Sequence, residues 1–246
     1  RDFIAAGLIA KAKSLANEPA DFALADVLLE PVIPNPDKII CVGLNYHNHV
    51  EETGNTVTEK PLLFPRFAGS QIGHDAALIK PLESDKFDFE GEMAVIIGTG
   101  GRRISKAAAL SHIPGYACYN DGSVRDWQRH TSQYTAGKNF AGTGAFGPWM
   151  VTADEIPAPT KLTLTTRLNG QEVQKTSTSL MINDIPSLIA YCSTVLPLVP
   201  GDVIVSGTPG GVGARREPPL WMKDGDVAEV EISGIGILSN PVQAER

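Results

Sequence analysis

The sequence predicts a β-rich α+β fold with few short helices, and three observations support this. The chain of 246 residues carries 24 Gly and 18 Pro, which favours many turns over a helical bundle. Short apolar or alternating runs typical of strands recur along most of its length. Helical periodicity is confined to a few segments. With 42% hydrophobic and 20% charged residues, the composition is that of a globular protein able to bury a sizeable core.

The first 35 residues are predicted to form a helical segment followed by a proline-rich linker. Apolar side chains recur at roughly helical spacing over residues 3–16. Three prolines then fall within residues 30–37, which indicates a linker. We therefore divide the chain into an N-terminal segment, residues 1–35, and a main domain, residues 36–246.

The main domain contains several runs with the pattern of β-strands. Some are short and wholly apolar, as expected of buried strands, and others alternate between apolar and polar residues. Asn169-Gly170 lies between two of them and is a typical hairpin turn, while Gly234 lies between another two. The predicted strands are residues 38–44, 92–98, 148–151, 161–167, 172–176, 228–232 and 236–238.

One clear helix is predicted near residues 185–196. Asn183-Asp184 can cap its start, apolar residues recur at helical spacing, and Pro200-Gly201 ends the pattern. Shorter helices are predicted at residues 48–52 and 105–112.

Charge and cysteine content exclude several classes of partner. The formal charge is −7 and no dense run of Lys or Arg occurs, so we expect neither nucleic acid nor a membrane surface as a partner. Cys41, Cys118 and Cys192 are widely spaced and odd in number, which predicts inert thiols in a reducing compartment. No apolar run approaches the roughly 18–20 residues of a membrane span. The expected location is cytoplasmic.

Two glycine-rich motifs resemble phosphate sites but lack the required context. Residues 142–147 match the G-x-G-x-x-G pattern, yet a strand-like segment follows where a helix is needed. Residues 207–213 contain four glycines without a following Gly-Lys-Ser/Thr. We therefore reject a nucleotide site at the first motif and interpret the second as a tight backbone turn.

A pair of carboxylates marks the start of a buried strand. Glu90 and Glu92 would project from the same face, because strand side chains alternate with period two. A solvated strand end with Gly91 as a bulge is one explanation. The other is a divalent cation between them, and an all-oxygen pair favours Mg²⁺, Mn²⁺ or Ca²⁺ over zinc.

A second acidic position strengthens the metal hypothesis. Asp121 follows a short apolar strand and supplies a third oxygen ligand. Arg125 and Gln128 follow close behind and could face the same site, where an arginine can clamp a carboxylate. The alternative for Arg125 is a surface ion pair with Asp126.

Candidate acid–base groups lie in two further segments. If residues 48–52 are helical, Glu52 can orient one ring nitrogen of His49 while the other polarises a water. Lys138 is either a surface lysine or a cation that stabilises an oxyanion. A rival hypothesis is a cupin-like iron site for an oxygenase or isomerase, formed by His47-Asn-His49, Glu51 or Glu52, and a distant histidine, His74.

Six motifs, in order along residues 36–246, resemble those of the fumarylacetoacetate hydrolase family. They are GLNYHNHVEE (43–52), DFEGEMAVIIG (88–98), YNDGSVRDWQ (119–128), GKNF (137–140), PWMV (148–151) and PGDVIVSGTPGGVG (200–213). The resemblance implies a mixed β-roll, a homodimer, and metal-dependent chemistry on 2-oxo and 1,3-dicarbonyl acids. One departure is Arg66-Phe67, where many relatives have Lys-Pro.

The resemblance also assigns roles to single residues. It implies Mg²⁺ ligands, with Mn²⁺ or Ca²⁺ as alternatives, at Glu90, Glu92 and Asp121. It implies a water-activating pair, His49 and Glu52, and an active-site lysine, Lys138. Substrate-contacting positions are Arg125, Gln128 and Thr208, and Gly207 would let the backbone approach an acid substrate.

The expected function is metal-dependent hydrolysis of a C–C bond in an acylpyruvate-like acid, such as a 2,4-diketo, fumarylpyruvate or fumarylacetoacetate-like acid, through an enolate at the metal. Alternatives on the same site are decarboxylation or tautomerisation of an oxaloacetate-type acid, and isomerisation of a 2-hydroxydiene dioate. A non-catalytic metal-binding module is a more remote alternative.

Overall fold

The computed structural model describes residues 1–246 and confirms a β-rich α+β fold with few short helices. The strands are β1 (Ile39–Gly43), β2 (Leu62–Arg66), β3 (Gln71–Ile72), β4 (Leu78–Lys80), β5 (Phe87–Asp88), β6 (Gly91–Ile96), β7 (Gly115–Asp121), β8 (Ser123–Val124), β9 (Gly144–Thr152), β10 (Thr163–Leu168), β11 (Gln171–Ser177), β12 (Val203–Val205), β13 (Val227–Ile232) and β14 (Gly236–Ala244). The α-helices are α1 (Asp2–Ala5), α2 (Ile9–Ser14), α3 (His47–Thr53), α4 (Arg125–Gln128), α5 (Thr135–Lys138) and α6 (Ile185–Val195).

Two mixed sheets form the body of the molecule. The larger has seven strands in the order β2-β1-β12-β6-β7-β9-β3, and the smaller has five in the order β11-β10-β13-β14-β4. Most neighbours are antiparallel, and the parallel pairs are β1 with β12, β3 with β9, and β4 with β14. The short strands β5 and β8 pair separately, next to the acidic residues at the ends of β6 and β7.

The larger sheet is apolar on both faces, which explains its wholly apolar strands. Met93 and Val95 belong to the main core, shared with the smaller sheet. Ala94 and Ile96 belong to a second cluster on the other face, which also contains Ile4 of α1. Alternate residues of one strand therefore face different layers, as the strand period requires. The N-terminal segment packs against the outer face of the sheet.

The structure confirms most of the predicted elements. The Asp184 side chain caps α6 by accepting a hydrogen bond from the Ser187 N–H, at 2.9 Å. Asn169 and Gly170 both have positive φ, 53° and 77°, as the hairpin between β10 and β11 needs. The glycines of residues 142–147 lead into β9 instead of a helix, which agrees with the rejection of a nucleotide site.

Two helical predictions are only partly correct. The N-terminal pattern is split into α1 and α2 around Gly7, whose φ of 68° no helix accommodates. Residues 105–112 form a single 3₁₀ turn at Ala109–His112 where a short helix was predicted.

No helix is both long and apolar enough to cross a membrane. All three cysteines are buried as free thiols.

Candidate active site

The register of β6 and β7 brings the three predicted metal ligands together. Gly91 pairs with Asn120, and the Asp121 N–H donates to the Glu90 carbonyl at 2.9 Å. Glu90, Glu92 and Asp121 thereby lie on the same face, with carboxylate oxygens all within 4.8 Å of one another. They are 5%, 1% and 0% exposed, so the solvated strand end with a bulge at Gly91 is wrong.

Three buried cations surround the carboxylates. The Lys138 Nζ lies 2.7 Å from Glu90 Oε2 and 2.6 Å from Asp121 Oδ2. Arg125 Nη1 lies 2.6 Å from Glu90 Oε1, and Arg66 Nη1 lies 2.5 Å from Asp121 Oδ1. The surface alternatives for Lys138 and Arg125 are therefore wrong, since both side chains are buried and face acidic partners.

Glu92 is the carboxylate that no cation neutralises. It accepts one hydrogen bond, from the Gly207 N–H at 2.5 Å, and forms no ion pair. Burial and the neighbouring Asp121 and Glu90 raise the pKa of Glu92 well above its ordinary value. Burial alone would also raise the pKa of Glu90, but Arg125 and Lys138 outweigh it and lower that pKa to about 2. The site therefore lacks positive charge at Glu92.

This donor set fits a hard divalent cation. All three ligand side chains offer carboxylate oxygens, and the group is the only one of its kind among the His, Cys, Asp and Glu side chains. The iron alternative does not fit, because His74 accepts a hydrogen bond from the Ser239 N–H and is not brought to His47 and His49.

Gly91 is required where the two sheets meet behind the ligands. A Cβ at this position would lie 2.0 Å from Thr166 Oγ1 on β10. The hydroxyl of Thr166 is buried and has no hydrogen-bond partner. Only a glycine between the two glutamates allows β6 to approach the smaller sheet this closely.

Gly91→Ala is expected to destabilise the protein by about 1–3 kcal/mol, because the added methyl group overlaps the Thr166 hydroxyl. Adding Thr166→Ala should recover most of this loss, since the next nearest atoms lie at 3.3 Å and beyond. Denaturant unfolding measures both variants. Gly69→Ala is the control, as nothing lies within 4 Å of its added Cβ. Failure of Thr166→Ala to rescue Gly91→Ala would contradict the packing argument.

His49 and Glu52 form the predicted pair on α3. Their side chains are joined at 2.8 Å between Nδ1 and Oε1. The other carboxylate oxygen of Glu52 accepts the Gly211 N–H at 2.8 Å, and Asn48 Oδ1 accepts the Gly210 N–H at 3.1 Å. The glycine-rich loop after β12 thus holds α3 in place, and the Nε2 atom of His49 is left for a ligand.

Asp88 anchors Arg125 and the far end of the same loop. The carboxylate is fully buried and accepts Arg125 Nε at 2.8 Å, Gly213 N–H at 2.8 Å and Ala214 N–H at 2.9 Å. Arg125 Nη1 also donates to Gln128 Oε1 at 3.0 Å, whereas Arg125 Nη2 is buried without a partner. One guanidinium nitrogen is therefore unused by the protein.

Thr208 is tied to the glutamate segment by Gln174 of β11. Its hydroxyl donates to the Gly91 carbonyl at 3.0 Å and accepts from Gln174 Nε2 at 2.9 Å. Gln174 Oε1 in turn accepts the Gly91 N–H at 3.0 Å. The Gly207 N–H is bonded to Glu92, so its contact with substrate stays a prediction.

A cavity of about 230 Å³ connects these groups. The predicted residues that line it are Glu90, Glu92, His49, Lys138, Arg125, Gln128 and Thr208. Glu52 and Asp121 support it from behind through their bonds to His49 and Lys138. A small acid is therefore able to reach the carboxylates, the histidine and the lysine from one space.

Sequence reasoning did not find several residues of this site. Asp88 belongs to an informative motif, but nothing in the pattern showed that it binds a distant loop. Arg66 stood out only as a departure, and the structure places it behind Asp121. Gln174 lies in an ordinary hairpin strand, and its alternation gives no signal of a polar role.

The chain is similar to several known proteins. A family model described as fumarylacetoacetate (FAA) hydrolase C-terminal matches residues 38–243. The mitochondrial oxaloacetate tautomerase fahd2 of Xenopus laevis is 42% identical over 217 residues, which are 87% of this chain and 68% of that protein.

Solved structures are also similar. The 5-carboxymethyl-2-hydroxymuconate delta-isomerase of Mycobacterium smegmatis has a TM-score of 0.81 and 38% identity, covering 92% of this chain and 85% of that one. The maleylpyruvate hydrolase of Sphingobium sp. SYK-6, solved with manganese(II) and pyruvate, has a TM-score of 0.84 and 30% identity, covering 100% and 85%.

Proposed function

The chain belongs to the fumarylacetoacetate hydrolase family, and from this premise we propose that it catalyses the keto–enol tautomerisation of an oxaloacetate-type 2-oxo acid with a divalent cation. The observation that carries the proposal is the buried carboxylate triad, two members of which, Glu90 and Glu92, line the same cavity as a histidine that a glutamate orients. The relatives named as oxaloacetate tautomerases support the choice of reaction.

Glu90, Glu92 and Asp121 would hold the cation, and Mg²⁺ or Mn²⁺ suits their oxygens best. When bound, the cation supplies a Lewis acid for the 2-oxo and carboxylate oxygens of the substrate. Within the chain, Lys138 and Arg125 keep Glu90 ionised. Glu92 has no cationic partner, so its carboxylate is the one that the metal ion would neutralise.

His49 is the group that moves the proton. Its Nδ1 is held by Glu52, so Nε2 takes a proton from the carbon next to the 2-oxo group. Glu52 stabilises the imidazolium that results, and the glycine-rich loop keeps the glutamate in place. Return of the proton to the oxygen gives the enol, so no water is consumed.

Lys138 and Arg125 act on the oxygens of the substrate. Burial would lower the pKa of Lys138, but Asp121 and Glu90 outweigh burial and hold it above its ordinary value. The lysine is therefore a permanent cation beside the developing oxyanion. The unused Nη2 of Arg125 and the amide of Gln128 are donors for a substrate carboxylate.

His49→Ala is expected to slow Mg²⁺-dependent tautomerisation of oxaloacetate by about 10²–10⁴-fold, the usual contribution of a general base. Loss of enol absorbance and exchange of the carbon-bound protons with deuterium measure the rate. His47→Ala is the matched control, because His47 is exposed on the same helix. His49→Ala should bind Mg²⁺ as the parent does. An unchanged rate of tautomerisation in His49→Ala would remove this residue from the mechanism.

Hydrolysis of a C–C bond in an acylpyruvate is the second candidate. It is favoured by the similarity to a maleylpyruvate hydrolase, since a histidine held by a glutamate can equally activate water. Incubation of acylpyruvates, oxaloacetate and hydroxydienoates with Mg²⁺ or Mn²⁺ separates the two. Release of pyruvate from an acylpyruvate supports hydrolysis, whereas oxaloacetate enolisation without cleavage supports tautomerisation. No turnover of any of these acids would contradict both.

A further inference from the structure

Two arginines outside the proposed catalytic groups face the same cavity. Arg129 comes directly after α4, one helical turn beyond Arg125, and residues four apart lie on the same face. Arg215 ends the 3₁₀ turn Gly213–Arg215 and lines the cavity as well. Both arginines therefore border the same space as Glu90 and Glu92.

Asp88 fixes the two arginines relative to each other. Its carboxylate binds Arg125 Nε, which sets the start of α4, and also the amides of Gly213 and Ala214, which precede Arg215. The positions of both cations therefore depend on one buried anchor. Such support makes them part of a defined cavity wall, although their side chains reach solvent.

Neither arginine is neutralised by the protein. Arg215 Nη2 donates to the Thr53 carbonyl at 2.9 Å, and neither Arg129 nor Arg215 forms an ion pair. Burial and the nearby Arg215 and Arg125 lower the pKa of Arg129, as expected of clustered like charges. The only acidic residues that line the cavity are Glu90 and Glu92, and Glu90 is already paired with Arg125 and Lys138.

We propose that Arg129 and Arg215 form a second carboxylate subsite, which makes the cavity select acids with a carboxylate at the end distant from the metal ligands. Guanidinium groups bind carboxylates with directed hydrogen bonds, and a dianion also relieves the repulsion among the arginines. This inference rests on the proposed function, because it places the 2-oxo end of the substrate at Glu90 and Glu92.

The test is calorimetric binding of two unreactive acids to the Mg²⁺-saturated protein. Malate and 2-hydroxybutanoate have the same chain length and the same 2-hydroxy acid end, but only malate has a distal carboxylate. The parent is expected to bind malate about tenfold more tightly or better, as charged hydrogen bonds provide. Arg129→Gln combined with Arg215→Gln should reduce malate to the affinity of 2-hydroxybutanoate and leave the latter unchanged.

Arg102→Gln is the control, because Arg102 is exposed and does not line the cavity. A malate preference that survives in the double variant, or no preference in the parent, would overturn the subsite. The outcome is separable from the proposed reaction. If the protein does not tautomerise oxaloacetate but the double variant loses the malate preference, the proposed reaction is rejected and the subsite is kept. If the protein tautomerises oxaloacetate but the double variant keeps the malate preference, the reaction is kept and the subsite is rejected.

Discussion

Glu92→Gln is expected to weaken Mg²⁺ or Mn²⁺ binding by about 100-fold or more, because the loss of a direct ligand costs at least as much as the loss of a residue that supports a ligand, typically 10–100-fold. Glu92 is the best ligand to test, because it has no cationic partner that its removal would leave unpaired. The glutamine oxygen can still accept the Gly207 N–H. Calorimetric titration of metal into the metal-free variant measures the effect.

Stability provides the second readout for this variant. Burial and two neighbouring carboxylates raise the pKa of Glu92, so its negative charge disfavours the metal-free fold. Metal-free Glu92→Gln should therefore unfold at the same temperature as the parent or higher. Glu172→Gln, an exposed carboxylate on β11, is the control for metal binding. Parent-like metal affinity in Glu92→Gln would refute the metal assignment.

Arg66→Met is expected to destabilise the metal-free protein by about 3–5 kcal/mol, because it breaks a buried ion pair and leaves Lys138 as the only cation in contact with Asp121. Arg66 is 2% exposed. It donates to Asp121, to the Gly122 carbonyl at 3.0 Å and to Thr143 Oγ1 at 2.9 Å. All of these acceptors would lose a partner. The melting temperature should fall by roughly 6–20 °C, measured by calorimetry with a chelator present.

A surface pair and a double variant test whether burial is the cause. Arg167→Met removes the partly exposed pair with Glu231 and should cost about 1 kcal/mol or less. Asp121→Asn should cost less in the Arg66→Met background than in the parent, because the two side chains interact directly. Strict additivity of the two substitutions would show that the ion pair is not the source of the loss.

Local patterns in the sequence were sufficient for much of the fold. The hairpin at Asn169-Gly170 and the capped helix α6 depend on neighbouring residues only, and both are confirmed. The helix predicted at residues 105–112 is only a 3₁₀ turn, because its backbone N–H groups donate to carbonyls three residues back, as Ser111 does to Ala108, where an α-helix needs four. Gly7 similarly shows that apolar spacing alone does not guarantee a continuous helix.

Local spacing was enough to predict which acids share a strand face and which histidine has a glutamate one helical turn away. Strand and helix periods fix such relations over a few residues. Arg66 binds Asp121, Gln174 binds Gly91 and Asp88 binds Gly213 across 55, 83 and 125 residues of sequence, and only the folded chain brings these partners together. Those contacts arise from sheet register and loop packing, which depend on the whole chain, so no local pattern encodes them. The same long-range packing leaves Glu92 without a cation and places two unneutralised arginines at the cavity mouth.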